Sequence, residues 1–269
     1  MSDKAQLSDE EIATYHRDGL IIPDYRLSDD VLARMREAYK DLLEVNKNNP
    51  DLDPDFMLGP HLEKPGAQGV IGNPEWLEFA RHPDIVNMVT QVAGEDLILW
   101  GTTLFGKPAH IGKATAWHQD GDYYPIEPLE TVTVWIALDD STPENGCMRY
   151  IPGSHRKRRL FPHHWDEDPG LTLRQVIDED YAPENQARDI VLKAGQMSIH
   201  DIYLVHGSRA NTSPHRRAGF VLRILPGTSY YNHHKGGDSN NATHDYSGRA
   251  LYLLHGEDRT GRNDFSIGH

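Results

Sequence analysis

The segment Trp117–Gly121, with the sequence Trp-His-Gln-Asp-Gly, places an imidazole and a carboxylate two residues apart. If the segment is extended, His118 and Asp120 point to the same face, because side chains alternate along a strand with a period of two. Two ligands on one face make two corners of a metal site, and His206, which follows an apolar run, is the best candidate for the third. Two His and one carboxylate with open positions form the donor set of non-heme Fe(II) oxygenases.

The chain contains sixteen His, so a His-x-Asp triplet also arises by chance, and the metal hypothesis depends on its surroundings. The other His-rich places fit a metal site less well. The pairs His163-His164 and His233-His234 lie in polar stretches without a partner at helical spacing, and we interpret them as solvated loop residues. His155, in a Pro-Gly-Ser-His turn, is interpreted as structural or as a donor behind the metal ligands.

The composition describes an acidic protein with enough apolar residues for a full core. Of 269 residues, 38% are hydrophobic, and the formal net charge is −14. An acidic surface disfavours a nucleic-acid backbone or an anionic membrane as partner. The single Cys excludes an intramolecular disulfide and fits a reducing compartment, and we find neither a secretory signal nor an apolar run of about 20 residues. A cytoplasmic protein that acts on a small molecule is therefore expected, and the sequence does not indicate an oligomeric state.

The first third of the chain, about residues 8–94, is predicted to be helical. Ser8 and Glu11 have the spacing of a capping box, and the helix after them should end at Gly19. Ser28 should cap a second helix, whose apolar residues recur every three or four positions. Two shorter helices are predicted over residues 75–80 and 83–92.

From about residue 96 to 255 the sequence indicates short strands separated by turns. Residues 130–138 alternate, with Val and Ile on one face and Thr133 and Trp135 on the other. Helices followed by many short strands predict an α+β fold: a double-stranded β-helix, that is a jelly-roll or cupin-like barrel, flanked by N-terminal helices. The whole chain, residues 1–269, is expected to form one domain.

Three segments of the barrel region carry more specific predictions. The polar stretch 156–187 is expected to be an insertion over one end of the barrel, with a short helix near residues 171–177. The segment 147–151 is expected to pair back onto the preceding strand, with Cys147 as a small buried hydrophobe. Residues 230–241, rich in Gly, Asn and His, are expected to form a loop.

Several motifs together resemble the phytanoyl-CoA dioxygenase family of Fe(II)- and 2-oxoglutarate-dependent oxygenases. The resemblance extends from about Leu20 to Leu225. The motifs that carry it are Lys107-Pro108, the Trp-His-Gln-Asp of residues 117–120, the Asn-Gly-Cys-Met-Arg-Tyr-Ile-Pro-Gly-Ser-His of residues 145–155, and the His-Gly-Ser-Arg-Ala-Asn-Thr-Ser of residues 206–213 with Arg217. Together these motifs are specific.

The resemblance implies a metal site and a co-substrate site. It implies that His118, Asp120 and His206 hold iron. It also implies that Arg217 binds the distal carboxylate of 2-oxoglutarate with help from Ser208; an Arg presents a planar fork to a carboxylate, which a Lys does less well.

Trp135 and Lys107 are further residues that the resemblance places at the co-substrate. Trp135 also lies on the Thr face of its strand, which suits a ligand-lined interior. For Lys107, a lid-loop or surface lysine is an equal alternative. Arg217 and Arg223 share a strand face with Gly219, so Arg223 is either a second inward-facing guanidinium or a surface Arg at a strand end.

The implied reaction consumes O2 and 2-oxoglutarate, releases succinate and CO2, and oxidises a C–H bond of the substrate, while the protein holds the reactants. By the same resemblance, related halogenases carry Ala or Gly at the position of Asp120, so the carboxylate here favours hydroxylation. Asp122, Tyr123 and Tyr124 follow the metal motif directly and should line the substrate pocket together with Arg223.

The expected substrate is a small polar metabolite. Aromatic rings beside a carboxylate suit an ammonium group, and an Arg suits an anion. A substrate such as 2-aminoethylphosphonate or its trimethylated analogue carries a group of each kind. A natural-product intermediate or an acyl-CoA is the alternative, although an acidic chain lacks an obvious basic track for the CoA nucleotide. Rival classes are a metal-dependent isomerase, a binding barrel without net oxidation, and a zinc-dependent hydrolase.

Overall fold

The computed structural model of the protein describes residues 5–64, 68–235, 237–239, 242–244 and 246–269. Within this part of the chain the α-helices are α1 Asp9–Asp18, α2 Asp29–Val45, α3 Glu75–Ala80 and α4 Pro83–Ala93. None of them has the length and apolar character needed to span a membrane.

The helix ends lie where the capping residues predict them. Ser8 Oγ accepts a hydrogen bond from the backbone N–H of Glu11 at 3.3 Å, and the Glu11 carboxylate accepts one from the N–H of Ser8 at 2.7 Å. Helix α1 ends at Gly19, whose φ of 83° is left-handed, a conformation that glycine adopts without strain. Ser28 caps α2. These predictions are confirmed, because side-chain oxygens satisfy N–H groups that the first turn leaves without partners.

Strands, numbered in chain order, form two main antiparallel sheets. The large sheet has the spatial order β1 (Leu20–Ile21), β11 (Met197–Asp201), β6 (Val132–Ala137), β13 (Gly219–Pro226), β3 (Leu97–Phe105) and β17 (Tyr252–His255), with β2 (Phe56–Leu58) also paired to β3. The small sheet has the order β10 (Arg188–Asp189), β7 (Met148–Tyr150), β12 (His206–Ser208) and β4 (Thr115–His118). Three further pairs are β5 (Ile126–Glu127) with β14 (Tyr230–Tyr231), β8 (His163–Trp165) with β9 (Gln175–Ile177), and β15 (Gly237–Ser239) with β16 (Ala242–His244).

The two faces of β6 serve two different cores, as its alternation predicts. Val132, Val134 and Ile136 pack in the core that the large sheet forms with the helices. Trp135 packs instead with Met148 of the small sheet, in the core between the two sheets. The predicted α+β architecture, an antiparallel barrel flanked by N-terminal helices, is confirmed.

A polar row crosses the inner face of the large sheet. Strand β6 lies between β11 and β13, and Thr133 is opposite His200 on one side and Arg223 on the other. Two residues further along β6, a Cβ atom added to Gly219 of β13 would lie 2.1 Å from the ring of Trp135. The glycine therefore leaves the space that the indole occupies.

Three local predictions were wrong. Residues 175–177 form β9 and not part of a helix, in keeping with the β-branched Val176 and Ile177. The segment 147–151 does not return to the preceding strand; its strand β7 pairs with β10 and β12 in the small sheet. The expected loop 230–241 contains β14 and β15, and its residues 236, 240 and 241 lie outside the described part of the chain.

Candidate metal centre and active site

Three side chains predicted to bind a metal converge between the two sheets. His118 ends β4 and His206 begins β12, and the two residues are direct partners in the small sheet. Asp120 follows two residues after His118. One ligand atom from each of the three residues lies within 4.8 Å of the others, and all three residues are buried. His118 Nε2 is 3.5 Å and His206 Nε2 is 3.9 Å from Asp120 Oδ1.

Hydrogen bonds behind the two histidines orient their rings for a cation. The Nδ1–H of His118 donates to the carbonyl of Ala116 at 2.8 Å, and that of His206 donates to Leu204 at 3.0 Å. Each Nε2 is thereby left as a lone-pair donor on the side of the carboxylate. Burial lowers the pKa of His206 to about 3, so its ring is neutral near pH 7. Two imidazole nitrogens and a carboxylate fit a divalent metal, and this donor set is that of non-heme iron.

The triad opens into a cavity, the metal cavity, of about 440 Å³ including its opening to solvent. Its walls include Ser208, two residues after His206, together with Trp135 and Arg217. The resemblance assigns these three residues to the co-substrate, and the structure brings all three to the cavity that also contains the metal ligands.

Arg217 is a buried guanidinium without a carboxylate at ion-pair distance among the described residues. Its Nε and Nη2 donate to the carbonyl of Gly146 at 3.2 and 2.6 Å, and its Cζ lies 5.2 Å from the ring centre of Trp135. Burial lowers its pKa to about 10, which still leaves it charged near neutral pH. Since an uncompensated buried charge is strongly unfavourable, the site is suited to a bound carboxylate.

Lys107 lies beside this region but does not line the metal cavity. Its ammonium donates to the backbone carbonyls of Lys113 and Arg209, and only 2% of the residue is exposed. Burial, helped by the charge of Arg217, lowers its pKa to about 6. The alternative of a surface lysine is therefore wrong, and contact with the co-substrate stays a prediction.

A second cavity, the aromatic cavity, adjoins the metal cavity and shares Arg223 and Leu173 with it. Tyr123 and Tyr124 line it, and their contact with substrate stays a prediction. Arg223 is buried; its Nε donates to the hydroxyl of Tyr124 at 2.9 Å, and its Nη1 donates to Thr103. Of the two alternatives for Arg223, the inward-facing guanidinium is correct.

Asp122 does not line either cavity. Its carboxylate accepts a hydrogen bond from Gln175 of β9 and lies 3.6 Å from Nδ1 of His163 of β8. The insertion 156–187 thus contacts the segment next to the metal ligands through this carboxylate. A role of Asp122 in binding substrate stays a prediction that the geometry does not favour.

Two buried histidines escaped the sequence interpretation. His200, 1% exposed, lies 4.0 Å from Oδ2 of Asp120, and within the described residues neither of its ring nitrogens has a hydrogen-bond partner. His163, interpreted above as a solvated loop residue, is buried, and its Nε2 accepts the backbone N–H of Gln119 at 3.1 Å. For His200, the alternation of β11 was a usable signal; for His163 none existed, because its partner lies 44 residues away.

The sequence profile of the family Phytanoyl-CoA dioxygenase (PhyH) matches residues 15–219. A phytanoyl-CoA dioxygenase domain-containing protein 1 homolog of Dictyostelium discoideum is 29% identical over 157 residues, which are 58% of this chain and 56% of that relative. The chain thus spans little more than half the length of that relative.

Two solved structures extend the comparison over most of the chain. The non-heme monooxygenase ThoJ, in its apo form, has a TM-score of 0.71 at 25% identity and covers 92% of this chain and 84% of its own. The non-heme alpha ketoglutarate dependent carbocyclase SnoK from nogalamycin biosynthesis has a TM-score of 0.65 at 26% identity, covering 84% of this chain and 87% of its own.

Proposed function

Because the chain belongs to the phytanoyl-CoA dioxygenase family of non-heme iron, 2-oxoglutarate-dependent oxygenases, we propose that it hydroxylates a C–H bond of a small molecule. The co-products are succinate and CO2, formed from 2-oxoglutarate and O2. The observation that carries the proposal is that one cavity holds both the His118–Asp120–His206 triad and the guanidinium of Arg217, which has no carboxylate at ion-pair distance among the described residues.

The chemistry supplied by bound Fe(II) is the activation of O2 for decarboxylation of 2-oxoglutarate and oxidation of the substrate. The residues of the chain position the metal and the co-substrate. His118, Asp120 and His206 would hold the iron, and the metal cavity into which they open would receive the co-substrate and O2. The backbone carbonyls that accept from the two Nδ1–H groups fix the orientation of the imidazole rings.

The co-substrate is oriented by charge. Arg217 offers its remaining N–H groups to the distal carboxylate of 2-oxoglutarate, and Trp135 provides a flat wall beneath the guanidinium. Ser208, on the strand that begins with His206, offers a hydroxyl on the same wall. Fixing the distal carboxylate fixes where the keto acid end reaches, which is the geometric requirement for the reaction.

Asp120 supports hydroxylation as the outcome. Its carboxylate occupies the position that Ala or Gly takes in related halogenases, according to the resemblance described above. Thr133 Oγ1 donates to Asp120 Oδ2 at 3.3 Å, which leaves Oδ1 as the oxygen nearer to both imidazoles.

The finer part of the proposal is a small substrate with an anionic group. Arg223 supports it, since this buried guanidinium lines the metal cavity and has no carboxylate at ion-pair distance among the described residues. 2-Aminoethylphosphonate and its trimethylated analogue carry such a group and are the first compounds to test. Asp122, the carboxylate expected to face their ammonium group, binds Gln175 instead, so the cationic half of these compounds has less support.

The test begins with anaerobic addition of Fe(II) and then 2-oxoglutarate, followed by visible absorption. We expect a metal-to-ligand charge-transfer band that needs both additions. Air with a panel of aminophosphonates, carboxylates and quaternary amines should then give succinate together with a product heavier by one oxygen atom. Absence of the band, or turnover without O2 and 2-oxoglutarate, would contradict the proposal and favour a hydrolase or isomerase.

A further inference from the structure

We propose that the substrate of this oxygenase is an organic anion with a hydrophobic, ring-sized body, held in the aromatic cavity between Arg223 and Arg249. This inference rests on the proposed function and narrows its substrate class. In this proposal the substrate is recognised mainly by the aromatic cavity, whose wall includes residues of the C-terminal segment.

The walls of the aromatic cavity are suited to a flat apolar body. The cavity measures about 610 Å³ including its opening to solvent, and its aromatic lining consists of Phe56, Trp100, Tyr123, Tyr124 and Tyr246. Trp100 and Tyr124 meet edge to face, with ring centres 4.5 Å apart. The indole N–H of Trp100 donates to Thr131 at 3.3 Å, which directs its polar atom to the protein and leaves ring surface for a ligand.

The charge of the cavity is positive in an otherwise acidic protein. Arg223 and Arg249 line it, and none of its lining residues is an Asp or Glu. Neither guanidinium has a carboxylate at ion-pair distance within the described part of the chain, although the net charge of the protein is −14. Two guanidiniums beside apolar walls, with no carboxylate at ion-pair distance among the described residues, attract an anion and repel a cation, so the cavity favours a negatively charged ligand.

The C-terminal segment supplies part of this wall. Tyr246 and Arg249 lie beyond residue 219, where the match to the family ends. Nε2–H of His233 donates to the backbone carbonyl of Arg249 at 2.8 Å, and the His233 side chain is buried. This histidine, interpreted from sequence as a solvated loop residue, instead anchors the backbone that carries the second guanidinium.

The two cavities adjoin, so a ligand in one reaches the other. Leu173 and Arg223 line both cavities, and Tyr123 and Tyr124 follow Asp120 by three and four residues. A molecule whose anion is held by Arg249 and whose ring contacts the tyrosines therefore presents its opposite end at the boundary with the metal cavity. That end is where we place the C–H bond to be oxidised.

The test uses the protein loaded anaerobically with Fe(II) and 2-oxoglutarate, so that the co-substrate already occupies Arg217. The charge-transfer band is recorded first, and its absence counts against the proposed function and not against this inference. Calorimetric titration then follows with phenylphosphonate, benzyltrimethylammonium and 2-aminoethylphosphonate. We expect phenylphosphonate to bind at least about tenfold more tightly than the other two.

Arg249→Met should weaken phenylphosphonate binding by about tenfold while the charge-transfer band is unchanged. Arg249→Lys keeps the charge and should retain most of the affinity. The matched control is Arg262→Met, on the same segment, where the guanidinium stacks 3.8 Å from the ring centre of Tyr230 and does not line the cavity; its affinity should equal that of the wild type. Equal or tighter binding of benzyltrimethylammonium or 2-aminoethylphosphonate, no binding of phenylphosphonate, or an unchanged affinity in folded Arg249→Met would each overturn the inference.

Discussion

The metal cavity and the aromatic cavity share Arg223 and Leu173, and both are lined mainly by the segment 15–219, but only the aromatic cavity also has Tyr246 and Arg249 in its wall. The metal ligands, Trp135 and Arg217 all lie within residues 15–219, which the family profile matches. Arg223, Tyr246 and Arg249 lie beyond it. The residues that would hold iron and 2-oxoglutarate thus lie in the matched segment, whereas the anion site that we propose includes residues beyond it.

Removing a metal ligand should have the largest effect on turnover and should leave ligand binding in the aromatic cavity unchanged. We expect Asp120→Ala to lower turnover on the order of a thousandfold or more, because metal-ion catalysis is worth several kcal/mol and the metal loses one of its three protein ligands. Phenylphosphonate should still bind with Arg249 in place. The control is Asp178→Ala, whose carboxylate is 61% exposed. Undiminished turnover in Asp120→Ala would remove this residue from the site.

The next largest effect is expected for the guanidinium at the co-substrate. Arg217→Met should raise the Kd of 2-oxoglutarate by about 30- to 5,000-fold, because losing one partner of a buried charge pair costs about 2–5 kcal/mol. Its neighbour Arg216 forms a half-buried ion pair with Asp139 and does not line the metal cavity, so Arg216→Met is the control. An unchanged Kd measured from the charge-transfer band would place Arg217 outside the co-substrate site.

Two threonines of one strand segment allow a more delicate comparison. Thr133 donates to Asp120, whereas Thr131 accepts from Trp100 of the aromatic cavity. We expect Thr133→Val to weaken Fe(II) binding by roughly tenfold, the lower end of what hydrogen-bond partners of metal ligands contribute. Thr131→Val should leave Fe(II) affinity unchanged. Equal metal affinities in the two variants would show that Thr133 does not orient the ligand.

The smallest effect is expected far from both cavities. Ser8→Ala removes the capping hydroxyl of α1 and should lower the free energy of unfolding by about 1 kcal/mol, which corresponds to a Tm lower by about 2–4 °C. Neither Fe(II) nor phenylphosphonate affinity should change. A change in either affinity at unaltered Tm would show that α1 communicates with the cavities.

The sequence predicted what depends on neighbouring residues and missed what depends on distant ones. The caps at Ser8 and Ser28 and the two faces of β6 follow from local hydrogen bonding and a period of two. The triad could be predicted because two of its members lie on one short stretch. The hairpin of β8 and β9 was missed, since its pairing with residues near Asp122 leaves no periodic signal in a polar segment.

The wall of the aromatic cavity could likewise be predicted only in part from the sequence. Tyr123 and Tyr124 were found because they follow the metal motif, while Tyr246 and Arg249 come from a segment more than 120 residues later. No local pattern in the sequence brings them together. His200 could be predicted in part. The alternation of β11 indicates which face of the sheet it occupies, but its place opposite Thr133 depends on the register between β11 and β6.

The pairing of β1 with β11 has a consequence for the edge of the large sheet. Leu20 and Ile21 lie opposite His200 and Ile199, and the N–H of Asp201 donates to the carbonyl of Gly19 at 3.0 Å. These bonds cover a row of backbone groups that would otherwise form an open, apolar strand edge, the kind of surface through which proteins aggregate. The N-terminal strand β1 therefore protects the edge of β11, the strand that contains His200.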